Sequence, residues 1–267
     1  MFSNIKKILN KHGIDSIGII GINDCVVINS RILPEWSKSA IIFSIPYRST
    51  TKSTQDGFSE YARIYDYHKF SSDLYDTLSK ELNADNEYIF KGFCDHSPIN
   101  EKLAAARCGL GFIGRNSLFF DRKYGSFVFL GSIITNYKCD TKIHEIEYCD
   151  NCGLCVKSCP NQAILDRGID RFKCLSGISQ KKKKTHDEVS LLKEHNIVWG
   201  CDICQNICPH NINAEINPLP YFKETRIPKI DKEFIASLSN EEFEKYAFSY
   251  KGRQIVLDNI DFNDFNP

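Results

Sequence analysis

At 267 residues, with 34 basic and 34 acidic side chains, the chain is neutral overall, which leaves a polyanionic partner only a local patch to bind. Its length suits one large domain or two modest ones, and hydrophobic and charged contents of 42% and 25% are those of a globular protein. No run approaches the ~18 uninterrupted apolar residues of a membrane span, and the opening "MFSNIKKILNKHGIDSIGII" lacks the apolar core and cleavage site of a signal peptide.

Ile5, Ile8 and Leu9 stand at helical spacing and predict a helix over residues 3–12, broken at Gly13. Short β-branched runs at 16–21 and 40–45 predict strands. Residues 58–83 read as one long helix, with Tyr67, Phe70, Leu74, Leu78 and Leu82 near one face. A strand at 88–93 leads into Asp95, and a helix is expected to start around Pro98, which suits a first helical turn, and to stop at Gly109. "SLFF" and residues 126–135 are two further strands joined by the turn "DRKYG". Strands interleaved with helices predict an α/β layer with a mixed sheet. From 149 onward short loops are set by cysteines. The prolines after 209 predict extended chain, and two short helices follow, the second capped by Ser239 with Glu242 at its capping-box position.

The twelve cysteines do not read as a disulfide framework, because a chain this long without a secretion signal belongs in a reducing compartment; a cytoplasmic, metal-bearing protein is expected. Cys149, Cys152, Cys155 and Cys159 follow C-x2-C-x2-C-x3-C-P, the run of bacterial-type ferredoxins. Three of its thiolates converge on one [4Fe–4S] cube, while the fourth ligates another cluster. Cys174, Cys201 and Cys204 complete that second cluster, and Cys208, in "CDICQNICPHN", mirrors Cys159 and returns to the first. The expected sets are Cys149/Cys152/Cys155/Cys208 and Cys159/Cys174/Cys201/Cys204. A pair of zinc knuckles is the competing reading, disfavoured by the two C-P endings. Cys25, Cys94, Cys108 and Cys139 are expected to be small buried hydrophobes, with Cys94 set apart by its neighbour Asp95.

Two clusters make an electron wire without saying what is reduced. "YARIYDYH" (61–68), "FCDHSPINEKLAAARCGLGFIGRNSL" (93–118), "GSFVFLGSIITN" (125–136), "FKCLSGIS" (172–179), "WGCDICQNICPHN" (199–211) and "FSYKGRQIVLDN" (248–259) address that. With the cysteine run, and in this order, they resemble the epoxyqueuosine reductase family, cobalamin-dependent enzymes of the last step in making the tRNA base queuosine. The likeness covers nearly the whole chain.

The resemblance implies a nitroreductase-like, α+β or α/β, cobalamin-binding domain at 1–140. A bacterial-ferredoxin-like double [4Fe–4S] module at 141–212 and a short C-terminal extension at 213–267 follow it. It implies that the clusters feed electrons to cobalt and that the reduced corrinoid removes the epoxide oxygen from the modified base at the tRNA wobble position. An acid beside the cobalt supplies a proton as the C–O bond breaks, and the matching residue is Asp95, in a V-D-x-x-P-like context. Such an acid must keep its proton near neutral pH, which a desolvated pocket favours and a helix N-terminus opposes. The plain alternative is that Asp95 caps the following helix.

Phe119 and Leu130 match the corrin wall, and Arg31 matches an arginine near the cobalamin. Tyr61, Arg63, Asp66 and His68 lie in a family-like motif compatible with a structural role, and His68 is not expected to ligate cobalt. Lys181–Lys184 form a candidate patch for tRNA phosphates beside the ordinary reading of a solvated loop. The chain resembles a short form that stops at Pro267, before the helical-repeat domain that full-length members commonly carry. The implied partners are the tRNA anticodon stem-loop and an unidentified electron donor, with no membrane and with a monomer as the default. Two other readings are a cobalamin-dependent reductase of another substrate and an iron–sulfur electron carrier whose first domain holds a flavin.

Overall fold

Ile5, Ile8 and Leu9 form the buried stripe of α1 (Phe2–Lys11). Gly13, at φ 78°, lets the chain leave that helix, with the amides of Gly13 and Ile14 returning to the carbonyls of Asn10 and Leu9, each at 3.0 Å. In the computed structural model the described residues are 2–50, 55–82, 87–166, 168–217 and 219–264.

The chain divides into two compact units, one of residues 1–46, 67–114 and 118–150, the other of 47–66, 115–117 and 151–267. The units interleave along the sequence, where the sequence reading expects three consecutive segments.

The first unit is built on a four-stranded sheet of β1 (Ile17–Gly21), β2 (Ser39–Pro46), β3 (Phe90–Cys94) and a last strand Val128–Thr135, with β1 and β3 at its edges. Between β3 and that last strand, Gly111–Ile113 (β4) and Phe119–Asp121 (β5) pair as a separate ribbon, so Val128–Thr135 is β6. Every ladder is antiparallel, which corrects the expected mixed sheet. The alternation of strand and helix misleads here because β2 and β6, far apart in sequence, pair side by side in opposite directions.

β2 is buried at all eight positions, as a central strand covered on both faces must be. On one face Ile20, Ala40, Ile42 and Ile134 pack with Ala104, Ala105 and Ala106 of α3 (Glu101–Arg107). On the other, Tyr75 of α2 (Tyr67–Leu82) meets Phe43 edge-on at 6.3 Å. Gly92 is required there, since a Cβ would fall 2.2 Å from the Tyr75 ring.

Two helix expectations shift. The predicted helix over 58–83 splits into a 3-10 turn at Glu60–Arg63 and α2, because Phe58 bridges to Trp199 and Tyr65 to Tyr246; residue 83 lies outside the described residues. α3 starts at Glu101 rather than near Pro98. The carbonyl of Pro98 instead accepts from Ile28 at 2.8 Å and Asn29 at 3.0 Å, holding 98–100 extended against the loop 26–29.

The second unit carries α4 (Leu154–Ser158), the ribbon β7 (Ile164–Leu165) and β8 (Gly168–Ile169), α5 (Leu175–Ser179), α6 (His186–Glu194) and α7 (Ile203–Asn206). After it come α8 (Pro220–Thr225), α9 (Lys232–Ser237), α10 (Asn240–Glu244) and α11 (Arg253–Asp264). Three short helices thus stand where two were expected near the end, and Pro220 opens a helix within the stretch read as extended. Ser239 and Glu242 form the expected capping box on α10. Buried Phe58, Trp199, Ile227, Phe248 and Val256 make one core, which ties 47–66 and the C-terminal helices to the cysteine segment.

Candidate functional site

Asp95 follows β3 with φ 63°, a left-handed conformation that aspartate tolerates better than most residues. Its Oδ2 accepts from the Tyr67 hydroxyl and lies 3.2 Å from His68 Nε2, both from the first turn of α2. The Tyr67 ring stacks on Phe129 at 3.8 Å and 12°, and on His68 at 4.4 Å and 28°. Cys94 Sγ lies within 4.8 Å of the His68 and Asp95 ligand atoms, which separates it from the three other non-motif cysteines as expected. The Asp95 side chain is 50% exposed. It does not cap α3. Asn100 does, accepting from the Leu103 amide at 3.2 Å.

Asp95 lines a cavity of about 400 Å³ together with Ile28, Ser97, Glu101, Phe119 and Leu130. Of the four residues expected at the cofactor, Asp95, Phe119 and Leu130 therefore meet. Arg31 lies outside this cavity in an exposed turn, its amide donating to Asn29 Oδ1 at 3.3 Å.

Glu101 was not singled out by the sequence. Its Oε1 accepts from Ser132 Oγ at 2.7 Å, and Ser132 Oγ lies 2.9 Å from Ser97 Oγ. Burial pushes the Glu101 carboxyl up to about 7, against the Ser132 hydrogen bond and aided by the charge of Asp95. The available signal was spacing: a glutamate beginning a helix six residues after a candidate acid, with an alanine-rich face that must pack on the sheet.

In the second unit α4 packs on α7. Cys155 lies in α4 and Cys204 in α7; Cys159 follows the one, while Cys201 and Cys208 flank the other. Cys204 feels the charges of Cys174 and Cys155, and Cys201 those of Cys204 and Cys174, so three members of one expected set lie together. Burial pushes the Cys201 and Cys204 thiols up to about 12. Among the described residues, no three of the cysteine sulfurs lie within 4.8 Å of one another. A tetrahedral zinc site with Zn–S near 2.3 Å needs sulfurs about 3.8 Å apart. The eight cysteines, seven of them in two C-P runs that meet where α4 packs on α7, are the donor set of iron–sulfur cubes. Cys149 lies in the first unit, next to its last residue, its amide donating to the Ile113 carbonyl at 3.1 Å.

The other candidates separate by environment. Arg63 is fully buried and paired with Asp56, and the Tyr61 hydroxyl accepts from Gln180 at 3.0 Å, so both brace the second unit. Asp66 donates its amide to the Lys245 carbonyl at 2.7 Å. In the lysine run, Lys181 pairs with Glu188 and Lys184 donates to the Lys181 carbonyl at 2.8 Å; Lys182 and Lys183 are exposed. Cys25 and Cys108 pack against the α3 core but, like Cys94 and Cys139, are only partly buried where full burial was expected; desolvation pushes the Cys25 and Cys108 thiols up to about 12.

Residues 148–211 match the family model of a 4Fe-4S double cluster binding domain. An epoxyqueuosine reductase of Cyclobacterium marinum is 31% identical over 82% of this chain and 72% of its own length. Another, from Leadbetterella byssophila, is 30% identical over 69% of this chain, and the match spans 62% of that relative. A solved epoxyqueuosine reductase, with a tRNA-Tyr epoxyqueuosine-modified tRNA stem loop, superposes with a TM-score of 0.81 at 21% identity. That superposition covers 98% of this chain and 81% of the other.

Proposed function

Since this chain belongs to the epoxyqueuosine reductase family, we propose that it reduces epoxyqueuosine to queuosine at the wobble position of tRNA. The observation that carries the reading is the carboxylate of Asp95, gripped by Tyr67 and His68 at the wall of a cavity faced by Phe119 and Leu130. A held acid beside an apolar wall is what reductive C–O cleavage asks of a protein.

The eight cysteines fit two [4Fe–4S] clusters, with Cys149, Cys152, Cys155 and Cys208 holding one and Cys159, Cys174, Cys201 and Cys204 the other. The wall of Ile28, Phe119 and Leu130 fits one face of a corrin, a group larger than the cavity itself. When bound, the clusters relay single electrons and cobalamin supplies a strongly reducing centre for cleaving a C–O bond. Asp95 is the acid that protonates the oxygen as it leaves. Tyr67 fixes the carboxyl by its hydrogen bond, and its stacking on Phe129 holds the donor still. Lys182 and Lys183 are free of the internal contacts that occupy Lys181 and Lys184, and they are the members of that run able to meet phosphate.

No helix among the described residues is long and apolar enough to cross a membrane. The test is anaerobic turnover of epoxyqueuosine-containing tRNA by the cluster-loaded protein with a chemical reductant, read by nucleoside mass spectrometry. Queuosine formed only with added cobalamin is expected. Bound corrinoid without queuosine would point to a different substrate.

A further inference from the structure

Resting on the reading above, we propose that Glu101 is a second proton store for the reaction, supplying a proton through the hydroxyls of Ser132 and Ser97 to the cavity it shares with Asp95.

The stoichiometry asks for such a group. Taking the oxygen out of an epoxide breaks two C–O bonds, leaves a carbon–carbon double bond and releases water. The balance is epoxide, two electrons and two protons giving alkene and water, the electrons coming from a low-potential one-electron donor by way of the clusters. One carboxyl carries one proton, so Asp95 alone is one short in every turnover. With corrin and nucleobase seated on the cavity, bulk water is displaced from it.

Glu101 lines the same cavity as Asp95. Hydroxyls connect it inward: Ser132 Oγ donates to Glu101 Oε1 at 2.7 Å and lies 2.9 Å from Ser97 Oγ, and Ser97 also lines the cavity. Ser132 sits between Ile42 of β2 and Phe93 of β3, so the relay is built on a strand paired on both sides. The ionisable groups facing Glu101 are Asp95, Tyr75 from α2 and its helix neighbour Lys102. β1, β2, β4 and β6 carry no ionisable side chain, and Asp121 of β5 is engaged by Ser16 and by the amides of Lys123 and Tyr124. With its carboxyl pushed up to about 7, Glu101 is populated in both protonation states near neutrality.

The experiment pairs a titration with turnover. Carboxyl 13C NMR of glutamate-labelled protein, assigned with Glu101→Gln, is expected to give a midpoint near 7 for Glu101. A midpoint in the ordinary glutamate range overturns the proposal. Single turnover of an epoxyqueuosine stem-loop by the protein loaded with clusters and cobalamin is expected to slow about tenfold per pH unit above pH ~7. Glu101→Gln, with unchanged cluster and cobalamin content, is expected to be roughly 10²-fold slower and flat from pH ~6 to ~8, with KM unmoved. Ser132→Ala is expected to share the slow rate while the Glu101 midpoint moves further up, because the lost hydrogen bond favoured the charged carboxylate. A Glu101→Gln protein that retains the wild-type pH profile, fast or slow, overturns the proposal and leaves the function standing. Wild-type protein that forms no queuosine overturns the function and this proposal together.

Discussion

The imidazole Nε2 of His68 lies 3.2 Å from Oδ2 of Asp95, the same oxygen that accepts the hydroxyl of Tyr67. One helix turn thus presents a hydroxyl and an imidazole to one carboxylate oxygen, and the stacking of Tyr67 on Phe129 fixes the arrangement to the sheet. An acid held by the Tyr67 hydroxyl and flanked by His68 is oriented even while half exposed.

Asp95→Asn keeps the shape and the capacity to accept from Tyr67 but removes the transferable proton. Turnover is expected to fall by roughly 10²–10⁴-fold, with iron, sulfide and corrinoid content unchanged. Metal analysis beside single-turnover kinetics checks this, and an Asn variant turning over at the wild-type rate would remove Asp95 from the mechanism.

Tyr67→Phe separates orientation from acid strength. The ring still stacks on Phe129 and His68, while the donor to Asp95 is gone. A smaller loss is expected, about tenfold in kcat for a hydrogen bond worth roughly 1 kcal/mol, with KM for the stem-loop unchanged. A loss confined to KM would mean that Tyr67 binds substrate instead.

Cys174→Ser tests the shared cluster set. Cys174, Cys201 and Cys204 lie close enough to perturb one another electrostatically, so losing one is expected to cost about half the iron rather than all of it. Burial holds the Cys201 and Cys204 thiols at about 12, so both bind iron by giving up protons. Calorimetry of cluster insertion at pH ~8, in buffers of different ionisation enthalpy, should show that proton release in wild-type protein and less of it in the Ser variant.

Much of this was legible in the sequence, for definable reasons. The C-P cysteine runs report ligand spacing directly, and Ser239 and Glu242 report a cap through local chemistry alone. Sheet direction was not legible, because the β2–β6 pairing is set by tertiary packing and no local signal encodes it. The start of α3 was misread for a similar reason: Pro98 suits a first helical turn, but its carbonyl is taken by Ile28 and Asn29 from a distant loop. Tyr67 sat inside an apolar helical pattern, where its stacking on Phe129 explains the ring and nothing in the pattern signals the hydroxyl. Glu101 depended on Ser132, a residue that looks unremarkable until the sheet places it opposite Phe93.

Arg63 is the structural counterpart of those site residues. Its guanidinium is fully buried, pairs with Asp56, and donates to the Phe58 carbonyl at 3.2 Å and the Ile227 carbonyl at 3.4 Å. Arg63→Ala leaves a largely buried Asp56 carboxylate without that partner, and a loss of roughly 3–5 kcal/mol is expected. Denaturant unfolding should show it as a lower midpoint. Arg63→Lys is expected to recover only part, since an ammonium does not reproduce the fork that meets Asp56 and two carbonyls.

Glu101 also has a stability signature that needs neither cofactor nor tRNA. Its folded pKa of about 7 lies above the ordinary 4.5, so the native state holds a proton that the unfolded chain gives up more readily. The resulting contribution is fully present below about 4.5, declines as pH rises, and is lost once pH passes about 7. Glutamine carries no such proton and can still accept from Ser132. Glu101→Gln is therefore expected to match wild type at pH ~4.5 and to be the more stable protein at pH ~8, as read from urea midpoints across that range. A difference that does not change with pH would mean that Glu101 titrates as an ordinary exposed carboxylate, and it would weigh against a neutral reservoir beside Asp95.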